Sequence, residues 1–131
     1  MYKKYADKWV KALRSGNYQQ GKGALCKDNN FCCLGVLCDV IKDDFDIKEI
    51  SSPHGIRYSF EDSESNFCIP IDLVPKLGLK STDPSVPTPE TVHSNYYRNF
   101  DGKIGLSTLN DNLEFDFNKI ADLVEKHYKE I

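Results

Sequence analysis

Cys33-Leu34-Gly35-Val36-Leu37-Cys38-Asp39-Val40-Ile41 is a nearly unbroken apolar run. It is far short of the roughly 20 residues that a membrane span needs. Its length predicts a buried central helix, although its β-branched residues also fit a strand. Gly35 predicts that a neighbouring backbone passes close to it. An element buried on all sides needs partners, and the flanking sequence supplies them.

Upstream, Tyr2, Ala6, Trp9, Val10 and Leu13 recur at helical spacing. They predict an amphipathic helix over residues 2–15, stopped by Gly16, with lysines on its other face. Downstream, Phe117, Ile120, Ala121, Val124 and Tyr128 keep the same period. They predict a helix over residues 116–130, with Asp116 at its start. Ala24–Lys27 and Phe31–Cys33 flank Asp28-Asn29-Asn30 and predict a short hairpin. The charged stretch Lys42–Glu49 begins an irregular crossing. Ile56–Phe60 alternates like a half-buried strand, with Phe67-Cys68-Ile69 as its expected partner. Pro70 to Gly78 reads as one or two helical turns. Residues 80–90, with three prolines, read as extended loop. Gly102–Ser107 reads as a strand and Asn110-Asp111-Asn112 as a turn. The sum is an α+β fold in a single domain over residues 1–131: a small antiparallel sheet packed with a buried central helix and N- and C-terminal helices.

The bulk properties agree. A chain of 131 residues, 40% hydrophobic and 28% charged, has the composition of one globular domain. The start Met1-Tyr2-Lys3-Lys4-Tyr5 lacks a signal-peptide core, so a soluble cytoplasmic protein is expected. Net charge is −3, with seven basic groups against Asp7 in residues 1–27. The acidic remainder argues against non-specific nucleic-acid binding, yet the basic end can hold a small anion. Five cysteines, at 26, 32, 33, 38 and 68, have neither the even count of a disulfide framework nor the paired spacing of a zinc site. No metal and no cofactor are expected.

Gly16-x4-Gly21-Lys22-Gly23 looks like a phosphate loop but fails it. Glycine follows Lys22 where a hydroxyl should hold magnesium, and a helix rather than a strand precedes it. What survives is weaker chemistry. Gly21 and Gly23 can aim N–H groups at an anion, and Lys22 and Arg14 can supply charge. Gln19 and Gln20 carry amides suited to a base edge. Tyr18, or Tyr97 within Tyr96-Tyr97-Arg98, offers a stacking face. Cys32 and Cys33 at the start of the central helix are where a helix dipole favours a thiolate, with His54 and His93 as candidate bases for a cysteine hydrolase. Asp39, Asp43, Asp44 and Asp46 cluster without the spacing of a calcium loop and read as a solvated acidic stretch.

Trp9-Val10-Lys11-Ala12-Leu13-Arg14-Ser15-Gly16-Asn17-Tyr18-Gln19-Gln20-Gly21-Lys22-Gly23-Ala24-Leu25 and Phe31-Cys32-Cys33-Leu34-Gly35-Val36-Leu37-Cys38-Asp39 resemble a widespread set of small phage-encoded proteins. Leu109-Asn110-Asp111 and Phe117-x-x-Ile120-Ala121-Asp122 are similar to that set too. The likeness covers both ends and is loose over residues 42–100. It brings no catalytic residues with it. It implies a phage protein acting in the cytoplasm of an infected bacterium, and by analogy a counter-defence factor that sequesters a small, cyclic nucleotide signal. On that expectation Arg14, Lys22 and the glycine loop meet phosphates, Tyr18 or Tyr97 stacks a base, and Gln19 or Gln20 reads its edge. A chain this small offers little concavity alone, so a homo-oligomer is expected. The alternatives are an inhibitor that blocks a host protein by direct contact, and the cysteine hydrolase.

Overall fold

In the computed structural model, which describes residues 1–131, five helices surround one core. They are α1 (Lys3–Arg14), α2 (Cys33–Ile41), α3 (Leu73–Lys76), α4 (Leu106–Asp111) and α5 (Phe117–His127). The apolar run is α2, and only Asp39 and Val40 in it reach partial exposure. It packs against α1 on one side and α4 on another, while α1 also packs against α5. The core is contiguous and holds 32 buried residues. Trp9, Leu34, Leu37 and Ile41 are fully buried there, each adding about 1.5–3 kcal/mol of hydrophobic stabilisation. The Trp9 indole N–H donates to the Cys33 carbonyl at 2.9 Å, which fixes α1 to the start of α2.

Gly35 behaves as its position predicts. A Cβ built on it would sit 1.7 Å from the Leu25 carbonyl oxygen, so the Leu25 backbone lies directly on α2. The helix ends also match their sequence signals. Gly16 takes φ +75 after α1, and the Asp116 carboxylate accepts from the Lys119 N–H at 2.8 Å at the start of α5.

The strands form three small sheets rather than one. In the first, β1 (Gln19–Gln20) runs parallel to β3 (Asn30–Phe31), and β2 (Cys26–Lys27) pairs antiparallel with β3. The β2–β3 turn has Asp28 and Asn29 at positive φ, as the sequence predicts. The second sheet has the order β4 (Lys48–Ser52), β5 (Gly55–Phe60), β6 (Ser63–Ser65), all antiparallel. Two expectations are corrected here. Lys48 and Glu49 belong to a strand rather than to an irregular crossing, and β5 pairs with Ser63–Ser65 rather than with Phe67–Ile69. Tight two-residue turns at Pro53-His54 and Glu61-Asp62 set both pairings. The Ile69 N–H donates instead to the Thr82 carbonyl, outside any sheet.

The third sheet pairs β7 (Ser85–Pro87) with β8 (Lys103–Gly105). The stretch 80–90 is therefore not all loop, and the intervening segment 88–102 is a long hairpin connection. The strand expected over Gly102–Ser107 stops at Gly105, where α4 begins. Asp83 holds that junction: its Oδ1 accepts from the Ser107 N–H at 3.1 Å and its Oδ2 accepts from the Ser107 hydroxyl at 2.6 Å. Asn110 and Asp111 consequently lie in the last turn of α4 rather than in a surface turn.

Candidate functional site

The glycine segment is held by its own neighbours. The Gly21 N–H donates to the Phe31 carbonyl at 2.7 Å, so it is not free to hold an anion. The Gln20 side-chain amide donates to Asn110 Oδ1 at 2.9 Å and to the Phe115 carbonyl at 2.8 Å. Asn110 is nearly fully buried and works on both sides. Its Oδ1 also accepts from the Cys33 N–H at 3.2 Å, and its Nδ2 donates to the Gly21 carbonyl at 2.8 Å and to Asp111 Oδ1 at 2.7 Å. One side chain thus ties the glycine segment, the start of α2 and the end of α4 together.

The other expected ligand contacts are spread apart. Arg14 forks onto α5, with 2.7 Å to Asp122 and 2.9 Å to Glu125, and these partners raise its pKa further. Gln19 is exposed on β1, Gly23 takes φ +78 with open space around it, and exposed Lys22 lies 3.6 Å from Glu114. Tyr97 packs edge-on against Tyr96 in the 88–102 connection. The hollow of about 430 Å³ at that connection is lined by Asn95, Arg98, Asn99, Phe100 and Gly102 and does not reach Tyr18.

Tyr18 is the expected residue that does line a groove. A depression of about 340 Å³ runs between α1 and α2, bounded by Lys8, Lys11, Ala12, Ser15, Asn17, Tyr18 and Val40. The Tyr18 ring stands edge-on to Phe31, and its hydroxyl donates to Asp39 Oδ2 at 2.6 Å. Burial, and then that hydrogen bond, push the phenol well above its ordinary pKa, so it stays neutral. Lys42 holds the other Asp39 oxygen at 2.9 Å and reaches Glu49 at 3.1 Å. Lys8 pairs with Asp44 at 2.6 Å, while exposed Lys11 makes no ion pair and the Asn17 side chain makes no hydrogen bond. The groove therefore offers an apolar floor from Tyr18, Val40 and Ala12, a cation in Lys11, and a free amide in Asn17. The sequence reading did not single out Lys8, Lys11 or Asn17. Lys4, Lys8, Lys11 and Ser15 stand at spacings of four, three and four, one stripe of a helix, and that signal could have found them.

The cysteines of α2 are core residues. Cys32 and Cys33 do start α2, but both are buried. Burial pushes the Cys32 thiol up to about 12 and the Cys33 thiol well above its ordinary range, which outweighs the helix dipole. Cys33 Sγ donates weakly to the Leu106 carbonyl at 3.6 Å, and His54 and His93 are exposed and hydrogen-bond neither thiol. Of the acidic cluster, Asp39 and Asp44 are taken by Tyr18, Lys42 and Lys8, and Asp43 and Asp46 stand in solvent.

A family model described as Domain of unknown function (DUF8296) matches residues 1–128, and the chain belongs to that family of uncharacterised proteins. No curated protein and no solved structure matches it. No helix is long and apolar enough to cross a membrane.

Proposed function

We propose that this protein binds a small nucleotide signal and holds it unchanged, as a phage-encoded counter to a bacterial defence. The binding place is the α1–α2 groove rather than the glycine loop. The observation that carries the reading is the combination found there: a neutral tyrosine face, an unpaired lysine and an unengaged amide around one depression of about 340 Å³. Stacking on such a face is worth about 1–3 kcal/mol per base, and a nearby cation holds phosphate. The buried, protonated thiols support binding without turnover, since a nucleophilic cysteine works as thiolate. The phage setting rests on the likeness of the end motifs.

The test mixes purified protein with a panel of cyclic and linear signalling nucleotides. The retained fraction is heat-denatured and what is released is analysed by chromatography. Intact nucleotide at a fixed ratio is the expected outcome, with retention lost in Lys11→Glu and weakened at least ~10-fold in Tyr18→Ala, at unchanged melting temperature for the former. Altered nucleotide would make the protein an enzyme. No retention across the panel would refute the reading, and retention untouched by Lys11→Glu would move it out of this groove.

A second reading, blockade of a host protein by contact, is favoured by the 88–102 connection, where Tyr96 and Phe100 stand exposed. On that reading Phe100→Ser abolishes the biological effect while Lys11→Glu does not.

A further inference from the structure

Two patches lie outside the groove. The first is a hollow of about 430 Å³ on the outer face of α5. Leu113, Phe115 and Leu123 form its apolar floor, and Lys119 and Lys126 stand at its rim. Lys119 Nζ lies 5.6 Å from the Phe115 ring centroid. Neither lysine is ion-paired, and Asp122 between them is already taken by Arg14. Lys119, Leu123 and Lys126 stand at i, i+4 and i+7, so the two cations are about 10 Å apart along the helix.

The second patch is a corner at residues 61–72. Phe67 is 64% exposed and Ile71 is 66% exposed. The corner is built, not frayed: Asp72 Oδ2 accepts from the Asp62 N–H at 3.0 Å, and the Asp72 N–H donates to Ser63 Oγ at 3.1 Å. Glu61, Asp62 and Asp72 belong to the same exposed corner, and none of them makes an ion pair. Neither Phe67 nor Ile71 lines the α5 hollow of its own chain.

An apolar floor rimmed by unpaired cations and a corner that carries two exposed apolar side chains with carboxylates outside any ion pair are complementary in polarity and in sign. We infer that the 61–72 corner of one copy of this chain docks into the α5 hollow of a second copy. The contact uses two different patches, so copies assemble head to tail unless a two-fold arrangement lets both contacts form at once. Patches of this size give weak, concentration-dependent association. The inference is independent of the nucleotide reading, because neither patch contains a residue of the α1–α2 groove.

The experiment is sedimentation of the full chain from ~5 to ~500 μM at low and moderate salt. Wild type should self-associate, more weakly as salt rises. A knob variant, Phe67→Ser with Ile71→Asp, and a rim variant, Lys119→Glu with Lys126→Glu, should each weaken association at least ~10-fold while keeping the wild-type circular dichroism spectrum. The deciding sample mixes the two variants. One retains an intact hollow and the other an intact knob, so the mixture should form a 1:1 complex that neither forms alone. Adding Glu61→Lys and Asp62→Lys to the rim variant should restore its self-association. A chain that stays monomeric throughout, association untouched by either variant, or a mixture that stays monomeric would each overturn the inference.

Discussion

Replacing Gly35 by alanine tests the central packing of the fold. The new Cβ would lie 1.7 Å from the Leu25 oxygen, 2.5 Å from its carbonyl carbon and 3.0 Å from its Cα. Ordinary contact needs well over 3 Å, so the Leu25 backbone must retreat by about 1.5 Å or α2 must shift as far. The obstacle is backbone, which cannot turn aside as a side-chain tip can. The same residue accepts from the Cys32 N–H at 3.2 Å and donates from its own N–H to the Asn66 carbonyl at 2.8 Å. Overpacking of this kind costs about 1–3 kcal/mol, and straining two hydrogen bonds adds about 1 kcal/mol. Alanine returns about 1 kcal/mol through its better helix propensity. The net loss is about 1–3 kcal/mol against a total stability of about 5–15 kcal/mol. Urea unfolding should show a lower midpoint at unchanged slope, and thermal unfolding a melting point lower by about 4–11 °C. A variant as stable as wild type, or one gaining the helix-propensity increment, would refute the close approach of residue 25 to α2.

Asn110→Ala strands the Cys33 N–H and the Gly21 carbonyl and removes one of the two acceptors of the Gln20 amide, and should cost about 3 kcal/mol by the same assay. Asn110→Asp keeps both accepted bonds but loses the donation to Gly21 and sets a second carboxylate against Asp111, so it should recover stability as pH falls. Asp83 gives the pH dependence its own sign. Burial raises its carboxyl pKa, and the hydrogen bonds from Ser107 only partly offset this. A folded-state pKa above the unfolded value means that the contribution is full below the unfolded pKa and is lost as pH rises through the folded one. Asp83→Asn should therefore gain on wild type between the ordinary carboxylate pKa of about 4 and the raised one, with a constant difference above it, measured by urea midpoints over about pH 3.5–7.

The helices were legible because each long one writes its burial into its spacing. The apolar positions of α1 and α5 recur at three and four, and α2 is apolar all round because it is buried all round. Gly35 announced the backbone that lies on it. β4 was hidden because Lys48–Ser52 is exposed on both faces, so it has no alternation to read. α4 has six residues, too few for a helical period to appear, and its first residues continue the apolar pattern of β8. Asn110 illustrates a deeper limit. Asn-Asp-Asn is a turn signal by composition, and nothing local to it shows that Gln20, Gly21 and Cys33 arrive from some 80–90 residues away. For the same reason the glycine segment looked available to a ligand: its Gly21 N–H and Gln20 amide are spent on partners that only the tertiary fold supplies.

The packing of α1 against α5 also sets an order of events during synthesis. Residue 14 leaves the ribosome more than 100 residues before residue 127, which at about 5–20 residues per second is a delay of about 6–23 s. Through that interval α1 can pack against α2 but not against α5, and Arg14 has neither Asp122 nor Glu125 to meet. Asn110 likewise reaches Gln20 and Cys33 only near the end of translation. A nascent chain of this protein is thus a half-covered helix pair for most of its synthesis, and a ribosome stalled before residue 117 holds a chain whose core is still open.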